Sequence, residues 1–317
     1  MKQYDAIIIG FGKAGKVLAA ELSNRGWQVA IVERSNMMYG GSCPNIACIP
    51  TKALIHEAEM SSLLYHGDFL KQTNMYKQAI ARKNRLTSFL RETNYENLSK
   101  RPNVTIYTGT ASFVSPNTIK VVLPNGDIEL QGKEIFINTG STPIIPAIDG
   151  IQQSKYVYTS STLLDMNVLP KHLIIVGGGY IGLEFASMFA GFGSKVTILE
   201  GGNRFMPRND QDIANNVKAT FHDTILQQFK RLTTDRKYRH ITQHFKIHPS
   251  FQIVPHIGDT EKTDQMVITV VDNRHYFSTT GGRKAAIKLP YLPRITSQII
   301  NHFARLSQIS DIHRIAV

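Results

Sequence analysis

Apolar residues fall in short runs, each closed by glycine or a polar cluster: Ala6–Ile9, Val29–Val32, Leu173–Val176 and Val196–Leu199. Runs of this length, rich in Ile and Val, predict buried strands. A helix-like stretch lies between the first and second run and another between the third and fourth, so the order strand, helix, strand predicts parallel α/β units. The apolar run Leu173–Leu183 is cut by glycines after Val176 and reads as strand plus turn, too broken for a membrane span. At the N-terminus Lys13 and Lys16 break the apolar stretch, and no export signal is read there. Farther along, MVITVVDNRHYFSTT (266–280) predicts a hairpin around Asp272-Asn273.

The two strand–helix–strand units are copies of one another. Ile7–Glu33 and Ile174–Glu200 align over 27 residues without a gap and share ten identities. In each, the first strand runs into G-x-G-x-x-G: Gly10, Gly12, Gly15, then Gly177, Gly179, Gly182. Each unit closes on a glutamate, Glu33 or Glu200, 23 residues after its first glycine. The first glycine makes the tight turn, the second admits a pyrophosphate to the backbone, and the third lets helix pack on strand. The phosphates then meet free N–H groups at the helix start, and the closing carboxylate accepts from ribose hydroxyls. One such motif is weak evidence, but two in register predict two dinucleotides and electron transfer between them.

Composition adds bounds. A chain of 317 residues with 42% hydrophobic content fills more than one small domain. The net charge of +12 is denser after residue 210, where 15 Lys and Arg meet 8 Asp and Glu. Scattered, solvated cations account for it. Nucleic-acid binding would rest on charge alone, without an aromatic platform or recognition motif.

The only two cysteines, Cys43 and Cys48, stand in GGSCPNIACIPTK (40–52). Two cysteines without an export signal predict a cytoplasmic protein, where a close pair is more often reactive than structural. Within one regular helix such a pair would be roughly 8–9 Å apart at Cα, too far for a disulfide. Pro44 suits a first helical turn, which places Cys43 just outside the helix and Cys48 within it, a setting that lowers a thiol pKa. Lys52 follows Cys48 by one turn. Two thiols near by chance and a working dithiol both remain open on these grounds.

These motifs together resemble the class I pyridine nucleotide-disulfide oxidoreductases, FAD flavoproteins that include lipoamide dehydrogenase, glutathione reductase and mercuric reductase. The wording GFGKAGK, ERSNMMYGGSCPNIACIPTK and GGGYIGLEFA resembles in particular the branch of hypothiocyanous acid reductases and reactive-chlorine resistance flavoproteins. The resemblance covers roughly residues 3–218. It implies that FAD is held by Gly10, Gly12, Gly15, Glu33, Gly41, Ser42, Lys52, Gly109, Ala111, Thr139, Gly140 and Ser141, with Asn138 where the family has Ala. It implies NADH at Gly177, Gly179, Tyr180, Ile181, Gly182 and Glu200, since a carboxylate suits a free 2′-hydroxyl better than the phosphate of NADPH. Arg204 would soften that preference. It further implies that Tyr180 covers the flavin, that Lys52 pairs with Glu184, that Cys48 contacts the flavin, and that Cys43 meets a small-molecule oxidant or disulfide. Mercuric reductases and large thioredoxin reductases use a further cysteine or selenocysteine pair, and this chain has no third cysteine. A mercuric reductase-like or dihydrolipoamide dehydrogenase-like activity is the alternative enzyme reading, and a chain keeping only its nucleotide-binding folds is the non-enzyme one.

The implied fold is α/β, with two Rossmann-like doubly wound domains. Residues 1–150 would bind FAD and carry the cysteine pair, and 151–280 would bind the nicotinamide nucleotide, with 220–265 departing from the family. Residues 281–317 would be an atypical basic remnant of the FAD-domain return. The family is homodimeric, and its dimerisation domain is not found here, so a reading-frame lesion is expected. The triplet His248-Pro249-Ser250 reads as a coincidental likeness to the family's catalytic His-Pro-Thr, and no metal site is expected of the histidines.

Overall fold

The computed structural model describes residues 1–145, 151, 154–200, 205–206, 209–222, 229–231 and 266–270. All fall in one compact unit, Met1–Phe277. The histidine-rich residues 240–248, the basic tail and Arg204 lie outside the described residues.

The fold is mixed α/β with parallel pairing dominant, as the repeat predicts. The first sheet has the order β3-β2-β1-β6-β5-β4. Its members are β1 (Lys2–Ile9), β2 (Val29–Glu33), β3 (Val104–Thr108), β4 (Thr110–Ser115), β5 (Thr118–Val122) and β6 (Ile128–Ile137). β1 is parallel to β2 and β6, and β2 to β3. β5 pairs antiparallel with β4 and β6, as an arm on one side. Ala6, Ile8, Val29 and Ile31 pack one face, and Ile7, Ala30 and Val32 the other. Burial on both faces is why these strands read as unbroken apolar runs.

The second sheet has the order β10-β9-β8-β11-β7 and is parallel throughout. It comprises β7 (Val157–Thr159), β8 (His172–Val176), β9 (Lys195–Glu200), β10 (Phe229–Arg231) and β11 (Met266–Val270). Here the expected hairpin is corrected. β11 is bonded along one edge to β7 and along the other to β8, leaving no edge for an antiparallel partner.

Seven α-helices complete the described residues: α1 (Lys13–Asn24), α2 (Ser42–Ile46), α3 (Cys48–Tyr65), α4 (Phe69–Ser99), α5 (Ser160–Leu163), α6 (Tyr180–Gly191) and α7 (Gln211–His222). α4 starts at Asp68, whose side chain accepts from Lys71 N. One core spans α3, α4, α6 and the second sheet, with Leu54, Ala58, Tyr76, Phe189 and Phe192 among its buried members. Tyr76 stacks edge-on against Phe192 at 5.1 Å and donates its hydroxyl to Met166 O at 2.8 Å. α3 and α4, inserted between β2 and β3 of the first sheet, are thus packed against the second.

Candidate functional site

Each glycine motif builds a turn with its own backbone. Gly10 and Gly177 lie at φ +110° and +111°, left-handed conformations that favour glycine. Gly10 N donates to Val32 O and Gly177 N to Leu199 O, tying each turn to the neighbouring strand. Gly12 and Gly179 are the N-caps of α1 and α6, and neither helix has a side-chain cap or an acidic residue in its first turn. The N–H groups there are left for an outside acceptor, and the positive end of each helix favours an anion. A Cβ on Gly182 would collide with Gly177 O, so the third glycine is required by close packing.

The first turn has a back wall, built by the residue that stands where the family has Ala. Asn138 N donates to Ile9 O, and Asn138 Nδ2 donates to Gly10 O at 3.1 Å. Its side chain stands beside Gly12 and Gly15, filling the space behind the loop with an amide where the family has a methyl. Glu33, half-buried at the end of β2, accepts Phe11 N at 3.0 Å on one oxygen and Ser35 N at 3.2 Å on the other. Its carboxylate is therefore oriented by two backbone donors. Gly109 joins this group, donating its N–H to Glu33 O. Thr139, Gly140 and Ser141 follow β6 in exposed backbone, while Ala111 sits in β4 opposite Val121, packed on the core. Glu200 ends β9 as Glu33 ends β2; its side chain lies outside the described residues.

The cysteines occupy two helices. Cys43 lies inside α2, not outside a helix, and Cys48 is the first residue of α3. The chain breaks at Ala47, whose φ of −138° and ψ of −108° end one helix and cap the next. That break frees the pair from the spacing a single helix imposes, and the Cys48 thiol acts on the Cys43 thiol. Both are free and exposed. The Cys43 thiol is pushed up, first by the protein around its sulfur, then by the hydrogen bond to Cys48 and by its charge; Lys13 and Lys16 pull it back. The expected lowering is therefore not met at Cys43. The side chain reaches solvent, and the two lysines that act on its charge belong to the start of α1.

The bend before the cysteines is pinned. Buried Asn45 donates to Tyr39 O at 3.0 Å and Gly41 O at 2.8 Å, and accepts Arg91 Nε at 3.0 Å. Tyr39 lies between Phe11 and Tyr95, 5.1 and 4.9 Å from their rings. One turn beyond Cys48, Lys52 Nζ donates to Glu184 Oε1 of α6, an ion pair joining the cysteine helix to the second glycine turn. Tyr180, the first residue of α6, is 54% exposed beside that pair, and Ile181 packs inward. Cys43, Cys48, Lys52 and Glu184 thus fall into one cluster, with the first glycine turn against it through Gly41 and Gly12. Asn45 and Arg91 had no signal in the sequence, because each is defined by a partner distant in the chain, and Asn138 showed there only as a departure from the family's Ala.

The sequence model of the family described as pyridine nucleotide-disulphide oxidoreductase matches residues 4–269. The chain belongs to that family. The match extends past residue 218, where the motifs stop being legible. The family is one of FAD-dependent oxidoreductases of pyridine nucleotides, typically homodimeric. Among curated family members, the chain is 50% identical over 223 residues to the probable pyridine nucleotide-disulfide oxidoreductase RclA of Escherichia coli, covering 70% of this chain and 48% of that protein. It is 32% identical over 252 residues to the dihydrolipoyl dehydrogenase of Acholeplasma laidlawii, covering 77% and 72%. The solved structure of the HOCl-induced flavoprotein disulfide reductase RclA from E. coli superposes with a TM-score of 0.63 at 49% identity, over 70% of this chain and 47% of that one. The chain spans about half the length of these RclA relatives. Among the described residues no helix is long and apolar enough to cross a membrane, and no group of three metal-ligating side chains occurs.

Proposed function

We propose that this chain carries the nucleotide-binding and dithiol parts of an FAD-dependent NAD(P)H oxidoreductase. Its acceptor would be an oxidised sulfur or a hypohalous-type oxidant such as hypothiocyanous acid, and its setting a reducing compartment such as the cytoplasm, where two free thiols persist. The carrying observation is the pair of free thiols on the adjoining helices α2 and α3, the second of which is linked through Lys52 and Glu184 to the helix of the second glycine turn.

The residues fit two dinucleotides. Gly10, Gly12, Gly15, Glu33, Gly41, Ser42, Gly109 and Thr139–Ser141 would hold FAD, whose uncapped helix start and oriented carboxylate match a pyrophosphate and a ribose. Gly177, Gly179, Gly182 and the strand-end residue Glu200 would hold the nicotinamide nucleotide, with NADH favoured by a carboxylate at that place. Bound FAD supplies a two-electron link between that nucleotide and the cysteine pair. Lys52 would orient on it, fixed by Glu184, and Tyr180 would cover it. Two electrons and one proton open the Cys43–Cys48 disulfide to a Cys48 thiolate and a Cys43 thiol. Cys43, once deprotonated, attacks the sulfur of HO–SCN, forming Cys43–S–SCN and releasing hydroxide. Cys48 then attacks the Cys43 sulfur, which restores the disulfide and expels thiocyanate.

The visible spectrum under anaerobic NADH tests this. Purified protein should take up FAD and gain long-wavelength absorbance on reduction, and Cys48→Ser should lose that absorbance while keeping FAD. A colourless protein that ignores added FAD would end the proposal.

A further inference from the structure

The charge around Cys43 is unbalanced. Lys13 and Lys16 stand one turn apart at the start of α1, where the first turn holds no acidic residue. Lys16 Nζ donates to Asn94 Oδ1 of α4. Asn94 Nδ2 is already committed to Leu90 O at 2.6 Å, which fixes the amide with its oxygen toward Lys16. A neutral acceptor thus holds the ammonium in place without cancelling its charge.

The same groups border the approach to Cys43. A Cβ on Gly40 would stand 2.6 Å from Asn94 Nδ2, and one on Gly41 would stand 2.6 Å from Gly12 Cα and 3.4 Å from Lys13 N. Gly41 lets the chain lie flat on the start of α1, and Gly40 lets it pass close to Asn94 of α4, just before Cys43. Burial, then the neighbouring Lys13, lowers the Lys16 pKa, and the Cys43 charge works to restore it. The coupling runs both ways, since both lysines favour the charged form of Cys43. From the other packed elements, α3 brings Cys48, which opposes that form; α4 brings Arg91, committed to Asn45; and Lys52 is committed to Glu184.

Resting on the dithiol reading above, we infer that Lys16, held by Asn94 and flanked by Lys13, is a positioning residue that keeps Cys43 available as the attacking thiolate. The lysines work against what burial and Cys48 do to that thiol.

The test needs no turnover. In the full chain, Cys48→Ser leaves Cys43 as the only thiol, and iodoacetamide alkylation followed by intact mass across pH reads its titration. Lys16→Gln in that background should move the alkylation midpoint upward by about half a unit or more, and Lys16→Arg should restore it. Asn94→Ala should move it the same way by less. Lys13→Gln should also raise it, and serves if Lys16→Gln does not fold. Midpoints that stay within about 0.2 units of the parent in both lysine variants would overturn the inference. So would a Lys16→Gln protein with an unchanged midpoint and weaker FAD uptake, which would assign the lysine to the cofactor's phosphates. A shifted midpoint in a chain that takes up no FAD would instead sink the oxidoreductase reading and leave this one standing.

Discussion

Gly182 carries a requirement that no other residue type meets. A Cβ there collides with Gly177 O, so Gly182→Ala must push α6 away from β8. NADH affinity is expected to fall at least about tenfold, because the phosphate-facing N–H groups move with the helix; fluorescence quenching by NADH measures it. His172 makes a second prediction. Its ring bonds Thr197 Oγ1 at 2.9 Å, and burial, then Lys195, lowers its pKa from the ordinary value of 6.5. Folding therefore favours the neutral ring. The associated stability is present above about pH 6.5 and is lost as pH falls toward the depressed folded value. Urea midpoints measured from pH 7.5 to 5 should fall, and His172→Gln should flatten that part of the slope; an unchanged slope would refute the assignment.

Among the helices, α3 and α6 meet more closely than ordinary side chains allow. A Cβ on Gly191 would stand 3.0 Å from both Ala58 Cβ and Ala58 O. Gly191→Val should therefore drive α3 and α6 apart at a cost of about 1–3 kcal/mol, read as a lower urea midpoint. The Lys52–Glu184 link runs between the same helices, so the variant should also change Cys48 alkylation. The ion pair itself adds little stability, since both side chains are more than a third exposed. The strand–glycine–helix units were legible in the sequence because their geometry is dictated by backbone at fixed spacing. The break at Ala47 was not, since an Ala in a helical stretch announces no end. Pro44 does sit in a first helical turn, but as the third residue of α2 and not its first, so Cys43 lies inside that helix.

In the assembled protein, the cysteine helix ties the two sheets together: it is inserted in sequence between β2 and β3 of the first and packs its buried residues in the core of the second. The family and its glycine turns could be read from residues 7–33, 40–52 and 174–200. The polar shell of Asn138, Asn45 and Asn94 could not, because each meets partners more than forty residues away or depends on one that does. The place of β11 was equally hidden, because parallel pairing leaves no local turn to announce it. That strand has a consequence for synthesis on the ribosome. Among the described residues, every strand of the first sheet has been made by Ile137. β7 and β8, by contrast, are separated by a slot that β11 fills only after roughly ninety further residues have been made. At ~5–20 residues per second that gap lasts several seconds or more, during which two apolar strand edges await a partner. Nascent chains halted before residue 266 should therefore call on chaperones far more than chains halted after 270.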